Sequence, residues 1–252
     1  MLKADDFPDK KGQDRQRFEE LLTASVAAHG HLCPGQVVGV RMAILGCRLL
    51  GFEVPCTLLQ LKQLIVFVEM DRCTADAVAQ VTRVKLGRRS LKVVDYGIMA
   101  ATFINLETGK AFRVISTEES RDLAHQYSPH EADKYRAQLE AYRLMPDCVL
   151  FRVQEVQVDL TPFDLPGPTR KKVACIRCGQ VVRDNREVII DGLSYCRPCA
   201  GGAYFTAARE IIWPDMNWTP LSEMEDAEPE SILETAANPS KRGYGLADTN
   251  SD

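Results

Sequence analysis

No run of eighteen apolar residues occurs in the 252-residue chain, so no membrane-spanning helix is expected. The opening segment MLKADDFPDKKGQDRQ is polar and has no apolar stretch of the kind that a secretory signal requires, so a cytoplasmic location is expected. A glycine-rich phosphate loop and a serine nucleophile elbow are both missing, which removes the usual support for an NTPase or an α/β-hydrolase. A large excess of either charge is absent as well, with 31 basic residues against 35 acidic ones. A net charge of -4 and a pI near 5.7 provide no global attraction to a phosphate backbone, so nucleic acid is not an expected partner.

What the chain does have is apolar content of 45%, enough to bury one substantial core and carry a small appended module. It also has nine cysteines. Without an export signal the compartment is reducing, and nine is odd, so metal ligation or burial explains them better than disulfides.

Apolar periodicity predicts an amphipathic helix over 13–28, with Phe18, Leu21, Leu22 and Val26 on one face. A second helix, from Gln36 to about Leu50, is apolar nearly all round. Its Gly39, Ala43 and Gly46 form a small-residue stripe that lets another element approach. The run Leu64–Val68 is apolar on both faces and β-branched, as a central strand should be, and a short helix follows over 74–81. Strands are expected over 91–95, 98–106 and 111–116, the last two joined by a hairpin turn at 107–110. Ser128-Pro129-His130-Glu131 reads as the capped start of a helix with Ala132, Tyr135, Leu139 and Tyr142 on one face, and 151–158 as a half-buried strand.

The expected fold class is therefore α+β: a small mixed sheet covered by helices, plus a C-terminal zinc-ribbon module. The expected organisation is a flexible N-terminus over 1–14, an α+β metal-binding domain over 15–159, a proline-rich linker over 160–172, the ribbon over 173–206 and a largely disordered acidic tail over 207–252. Beyond Pro220 the tail carries eight acids against Lys241 and Arg242.

Cys175 and Cys178 form one CxxC pair, Cys196 and Cys199 a second, and the seventeen residues Gly179–Tyr195 separate them, a spacing that suits one Zn²⁺. Four thiolates close the coordination shell, so this ion folds the module and performs no chemistry. Gly179 is expected to relieve the first knuckle, and Val181-Val182 with Val188–Ile190 to form a hairpin between the pairs.

His29, His31 and Cys33 in HGHLCPG lie at i, i+2 and i+4, so in an extended segment they project to one side and can present ligands to an ion. Cys33 caps a helix opened by Pro34, where free N–H groups and the helix dipole favour a thiolate. A metal or reactive-thiol role stands here beside the plainer one of capping and core packing. Sulfur beside imidazole suits zinc, nickel, iron or copper better than magnesium. Cys47, Cys56 and Cys148 read as small core residues, His125 and His130 as exposed, and the Arg88-Arg89 pair as solvated or as a receiver of an anionic group such as a phosphate or pterin.

HGHLCPG, then VVGVRMAILG, the acid-Cys-Asp-Ala stretch of Glu69 to Ala77, LKVVDYG and the paired CxxC closely resemble the formylmethanofuran dehydrogenase FmdE family over about residues 15–206. The resemblance implies a homodimer and a metal site built from His31, Cys33 and, further along the chain, Cys73, with His29 beside them and a second transition metal (Zn, Ni or Fe) as cofactor. Cys33 and Asp76 become the catalytic candidates, Asp76 as a group that orients a ligand or handles a proton. The chain departs from the family pattern at Val84–Arg89 and at Ile98, which implies a different substrate or partner surface.

Beyond the solvated or anion-receiving Arg88-Arg89 pair, nothing in the sequence would itself hold a pterin cofactor or an iron-sulfur chain. The expected function is thus an accessory or maturation factor for molybdenum or tungsten formyl or formate dehydrogenases, an oxidoreductase-associated protein without complete catalytic machinery. A metalloenzyme with an open His/Cys centre, and a zinc-ribbon regulator that binds nucleic acid or polymerase, are the alternatives.

Overall fold

The computed structural model describes residues 11–209; the expectations for residues 1–10 and for the acidic tail beyond 209 lie outside the described residues. Contacts divide the chain into one compact unit ending at Gly202 and a second beginning at Ala203. No described helix is long and apolar enough to cross a membrane.

Helix α1 (Lys11–His29) leads through a tight turn into α2 (Pro34–Leu49). Next come α3 (Leu58–Gln63), β1 (Leu64–Val68), α4 (Cys73–Thr82) and β2 (Leu91–Val93). Strands β3 (Ala100–Asn105) and β4 (Ala111–Ser116) form the expected hairpin. Short helices α5 (Glu119–Asp122) and α6 (Ala124–Tyr127) precede α7 (Lys134–Leu144), α8 (Asp147–Leu150) and β5 (Phe151–Val156). The sheet runs β2-β1-β3-β4-β5. Its β1–β2 pair is parallel and the others antiparallel, which makes it the mixed sheet of an α+β fold.

β1 is central because both its faces are wanted. Leu64, Val66 and Val68 join the main core under the helices, while Ile65 and Phe67 belong to a second cluster on the opposite side. Side chains alternate across a strand, so an apolar run of five divides between two covers. The second cover is Val158, Leu160 and Leu165, which pack with Ile65, Ile104 and Ala111.

The small-residue stripe has the predicted effect. A Cβ at Gly39 would lie 2.6 Å from Ala77 Cβ and 2.8 Å from the Thr74 carbonyl, and one at Gly46 would meet the Phe103 ring at 2.3 Å. Helix α2 therefore seats against α4 and the sheet at backbone distance. That contact places the first turns of α2 and α4 side by side.

Two expectations are corrected. The helix predicted to be capped by Ser128 starts five residues later. Asp133 is its N-cap, accepting from the Arg136 N–H at 2.9 Å, while Ser128 is buried and donates to Glu140. Burial of the serine takes its hydroxyl from capping, and the buried face becomes Ala137, Ala141 and Tyr142, with Tyr135 exposed. Cys148 is exposed, unlike Cys47 and Cys56, which are buried with their sulfurs 3.9 Å apart.

The ribbon holds β6 (Lys172–Ala174), β7 (Val181–Arg183), β8 (Val188–Ile190), β9 (Leu193–Tyr195) and α9 (Arg197–Gly201). β7 does not pair with β8, contrary to expectation; β6–β7 and β8–β9 are separate hairpins. Asp191-Gly192, both at positive φ, makes the tight turn of the second, and Asp184-Asn185, also at positive φ, turns the chain after the first. Asp184 is buried, accepts from the Arg170 N–H and forms an ion pair with Arg89 at 2.8 Å, so Arg89 is engaged inside the fold rather than solvated.

Candidate metal centres

The first centre forms where three helix ends meet. α1 terminates at His29 because Gly30 takes a φ of 98°, its N–H bonded to the Val26 carbonyl at 2.8 Å. The chain then reaches Cys33, the extended N-cap of α2 with Pro34 at the start of the helix, as predicted. Cys73 is the first residue of α4. Their spacing is maintained from within. Gln36, fully buried, accepts from the Ser25 hydroxyl at 2.5 Å and donates to the Cys73 carbonyl at 2.7 Å, tying α1, α2 and α4 together.

The ligand atoms of His29, Cys33 and Cys73 lie within 4.8 Å of one another. His29 Nδ1 is 2.9 Å from Asp76 Oδ2; a carboxylate accepts, so in the neutral imidazole the proton sits on Nδ1 and Nε2 keeps its lone pair. That Nε2 is buried and has no hydrogen-bond partner among the described residues. A carboxylate orienting an imidazole whose second nitrogen is left for an ion is the arrangement common to metal-bound histidines. The donor set fits a transition metal on this observation.

His31 is exposed and outside that set, its ring centroid 4.7 Å from that of His29. The extended geometry assumed for residues 29–33 does not occur, because His29 belongs to α1 and the chain turns at Gly30. The depressed Cys33 thiol does not occur either. Burial raises it, outweighing the Gln36 N–H that lowers it, and the neighbouring Cys73 raises it further. A cation beside the Cys33 sulfur would offset that resistance to ionisation.

A cavity of about 450 Å³ opens beside the sulfurs, lined by Cys33, Cys73, Met70, Arg72, Met99 and Arg121 among others. Sequence reading passed over Gln36 and Arg121. The first carried a signal, a lone amide in the first turn of a mostly apolar helix, whereas the second lies in a stretch of short helices with no pattern to single it out.

The second centre brings Cys175, Cys178, Cys196 and Cys199 within 4.8 Å of one another. Cys178 and Cys196 sulfurs are 3.7 Å apart; a tetrahedron of ~2.3 Å zinc–sulfur bonds has edges of roughly 3.8 Å. The first knuckle closes through Gly179 N–H to the Cys175 carbonyl at 2.9 Å, Gly179 having the positive φ expected of it. The backbone N–H of Cys196 is the chief group holding the Cys175 thiol at about 6, against the opposing effect of burial and with further help from the Cys178 and Arg177 N–H groups. Cys199 is pushed up to about 12, first by Cys196 and then by burial and the other two sulfurs. One thiol lowered by backbone N–H groups, beside Cys178 and Cys199 thiols that are raised, is the condition a divalent ion resolves.

Residues 28–158 match the family described as FmdE, of the molybdenum formylmethanofuran dehydrogenase operon, a span that takes in the first centre and ends before the ribbon. A protein of Archaeoglobus fulgidus described as a probable S-adenosyl-L-methionine-binding protein is 26% identical over 222 residues. The match covers 81% of this chain but only 58% of that relative's length. A crystal structure of a tungsten formylmethanofuran dehydrogenase FmdE-like protein from Syntrophus aciditrophicus is 22% identical, covers 75% of this chain and 94% of its own, and superposes with a TM-score of 0.49.

Proposed function

The chain belongs to the FmdE family, and from that premise we propose that it is a metal-binding accessory or maturation factor for molybdenum or tungsten enzymes acting on formyl groups or formate. The observation that carries this reading is His29 Nε2, buried without a partner beside two thiols and fixed from behind by Asp76. His29, Cys33 and Cys73 would hold zinc, nickel or iron. Such an ion would supply Lewis acidity. Around it the chain's own residues do the positioning: Gln36 sets the distance between the helix ends, Asp76 holds the imidazole, and Met70 and Met99 help wall the cavity. The four ribbon cysteines would hold a structural zinc. A homodimer, a cytoplasmic location, and a partner that is a molybdenum or tungsten enzyme or its cofactor belong to the same reading.

A handling role needs an ion that is held yet reachable, and three ligands beside a cavity meet that need. The same cavity supports a second reading, a metalloenzyme in which Arg72 and Arg121 receive an anionic substrate next to the ion. The description of the archaeal relative makes S-adenosyl-L-methionine a probe for that cavity too.

Metal quantification tests the centres. Two ions per chain are expected, one lost in Cys33→Ser and the other in Cys175→Ser; a folded, metal-free protein would overturn both assignments. Removal of the gene tests the role. Formylmethanofuran or formate oxidation should fall with it, and unchanged activity would end the accessory reading, while turnover by the purified protein alone would favour the enzyme.

A further inference from the structure

Away from both cysteine centres, α3 and the end of α4 enclose a concavity of about 550 Å³ lined by Leu58, Leu61, Lys62, Arg83, Arg88 and Pro166 among others. It shares no lining residue with the cavity beside Cys33 and Cys73. Among the described residues no acidic side chain lines it. Five arginines elsewhere in the fold pair with carboxylates: Arg41 and Arg48 with Asp147, Arg89 with Asp184, Arg113 with Glu69, Arg143 with Glu19. Lys62, Arg83 and Arg88 have no carboxylate partner among the described residues. Three cations thus converge on one hollow with their charge uncompensated.

Backbone conformation adds a second observation. α4 ends on Arg83 at φ 65°, the left-handed cap position where glycine is the usual residue because a Cβ there crowds the following carbonyl. A long cation kept where glycine is easier, with no internal carboxylate to reward it, points outward to a ligand. Leu58 is 71% exposed beside these charges and, with Leu61 and Pro166, supplies an apolar wall.

We propose that this concavity binds a small phosphate-bearing ligand with an apolar ring body, of nucleotide type, its phosphates on Lys62, Arg83 and Arg88 and its ring against Leu58, Leu61 and Pro166. Three cations suit a multiply charged anion better than a single carboxylate, and the volume lies in the range of small-molecule sites. A long polyanion is the poorer occupant, because the chain as a whole carries a net charge of -4.

Isothermal titration of the full chain with ATP, adenosine and inorganic phosphate tests this. ATP should bind, with adenosine and phosphate each at least about ten-fold weaker, since each meets only half the site. Arg83→Gly relieves the left-handed cap, so its melting temperature should stay at or above that of the wild type while ATP affinity drops about ten-fold or more; Arg88→Ala should lose affinity similarly. Absence of ATP binding, equal binding by adenosine, or affinity untouched in both variants would overturn the assignment. Tighter binding of a DNA duplex than of ATP through these arginines would also overturn it, in favour of a nucleic-acid surface.

Discussion

His29 and Asp76, forty-seven residues apart in the chain, meet at 2.9 Å where α1 crosses α4, and the contact uses the one imidazole nitrogen that the cysteines do not need. Asp76 is 69% exposed and His29 only 13%, so the carboxylate reaches in from solvent to a ring held in the wall. The cost of ordering an exposed carboxylate is repaid only if the ring's orientation matters.

Asp76→Ala should therefore weaken metal retention at the first centre by about 10- to 100-fold and leave the ribbon ion in place. Competition with a chromophoric chelator, reading the two ions separately, checks this. Equal retention would mean that the pair is a surface ion pair of no consequence.

Cys175→Ser should cost one ion per chain and the hydrogen-exchange protection of β6–β9, because a module with so little buried surface folds around its metal. Of the four ligands only Cys175 and Cys196 are buried. Protection in α2 and β1 should persist, since their core is independent of the ribbon sulfurs.

Gly39→Ala puts a methyl group 2.6 Å from Ala77 Cβ and 2.8 Å from a carbonyl oxygen, neither of which is the end of a flexible side chain. α4 must move away from α2, at about 1–3 kcal/mol. Denaturant melting should show the loss. Because Cys73 opens α4, first-centre metal affinity should fall with it, which a purely thermal effect would not cause.

Asp184 has its carboxyl held below the ordinary value, chiefly by the Arg170 N–H and also by the Arg89 charge, with burial opposing. Folded-state pKa below unfolded means that the contribution is present above the unfolded value, about 4, and disappears as pH falls through the folded one. The difference in melting temperature between wild type and Asp184→Asn should thus be constant from about pH 5 to about pH 7 and shrink below about pH 4. A difference that grows on acidification would contradict the assignment.

Much of this was legible in the residues. β1 has the bounds that its apolar run predicted, α2 carries its close contacts at Gly39 and Gly46, and Cys33 caps the helix that Pro34 opens. The Ser128 helix start failed because capping preference is local and weak, and burial of the serine outweighed it. The ribbon hairpins were misassigned because the Val181 and Val188 runs look pairable, whereas Asp191-Gly192, the stronger turn signal, lay one strand further on.

By itself the sequence determined which cysteines would gather in the ribbon, since two CxxC knuckles carry their geometry in a few residues of backbone, and it determined that Cys33 would stand at a helix start. It could not determine which histidine comes within reach of the two thiols. HGHLC offers two, and the choice of His29 over His31 depends on where α1 ends, how Gly30 turns the chain, and how closely α2 lets α4 approach. Local chemistry nominates donors; only the packing of three distant helix ends brings particular ones into reach of a single ion.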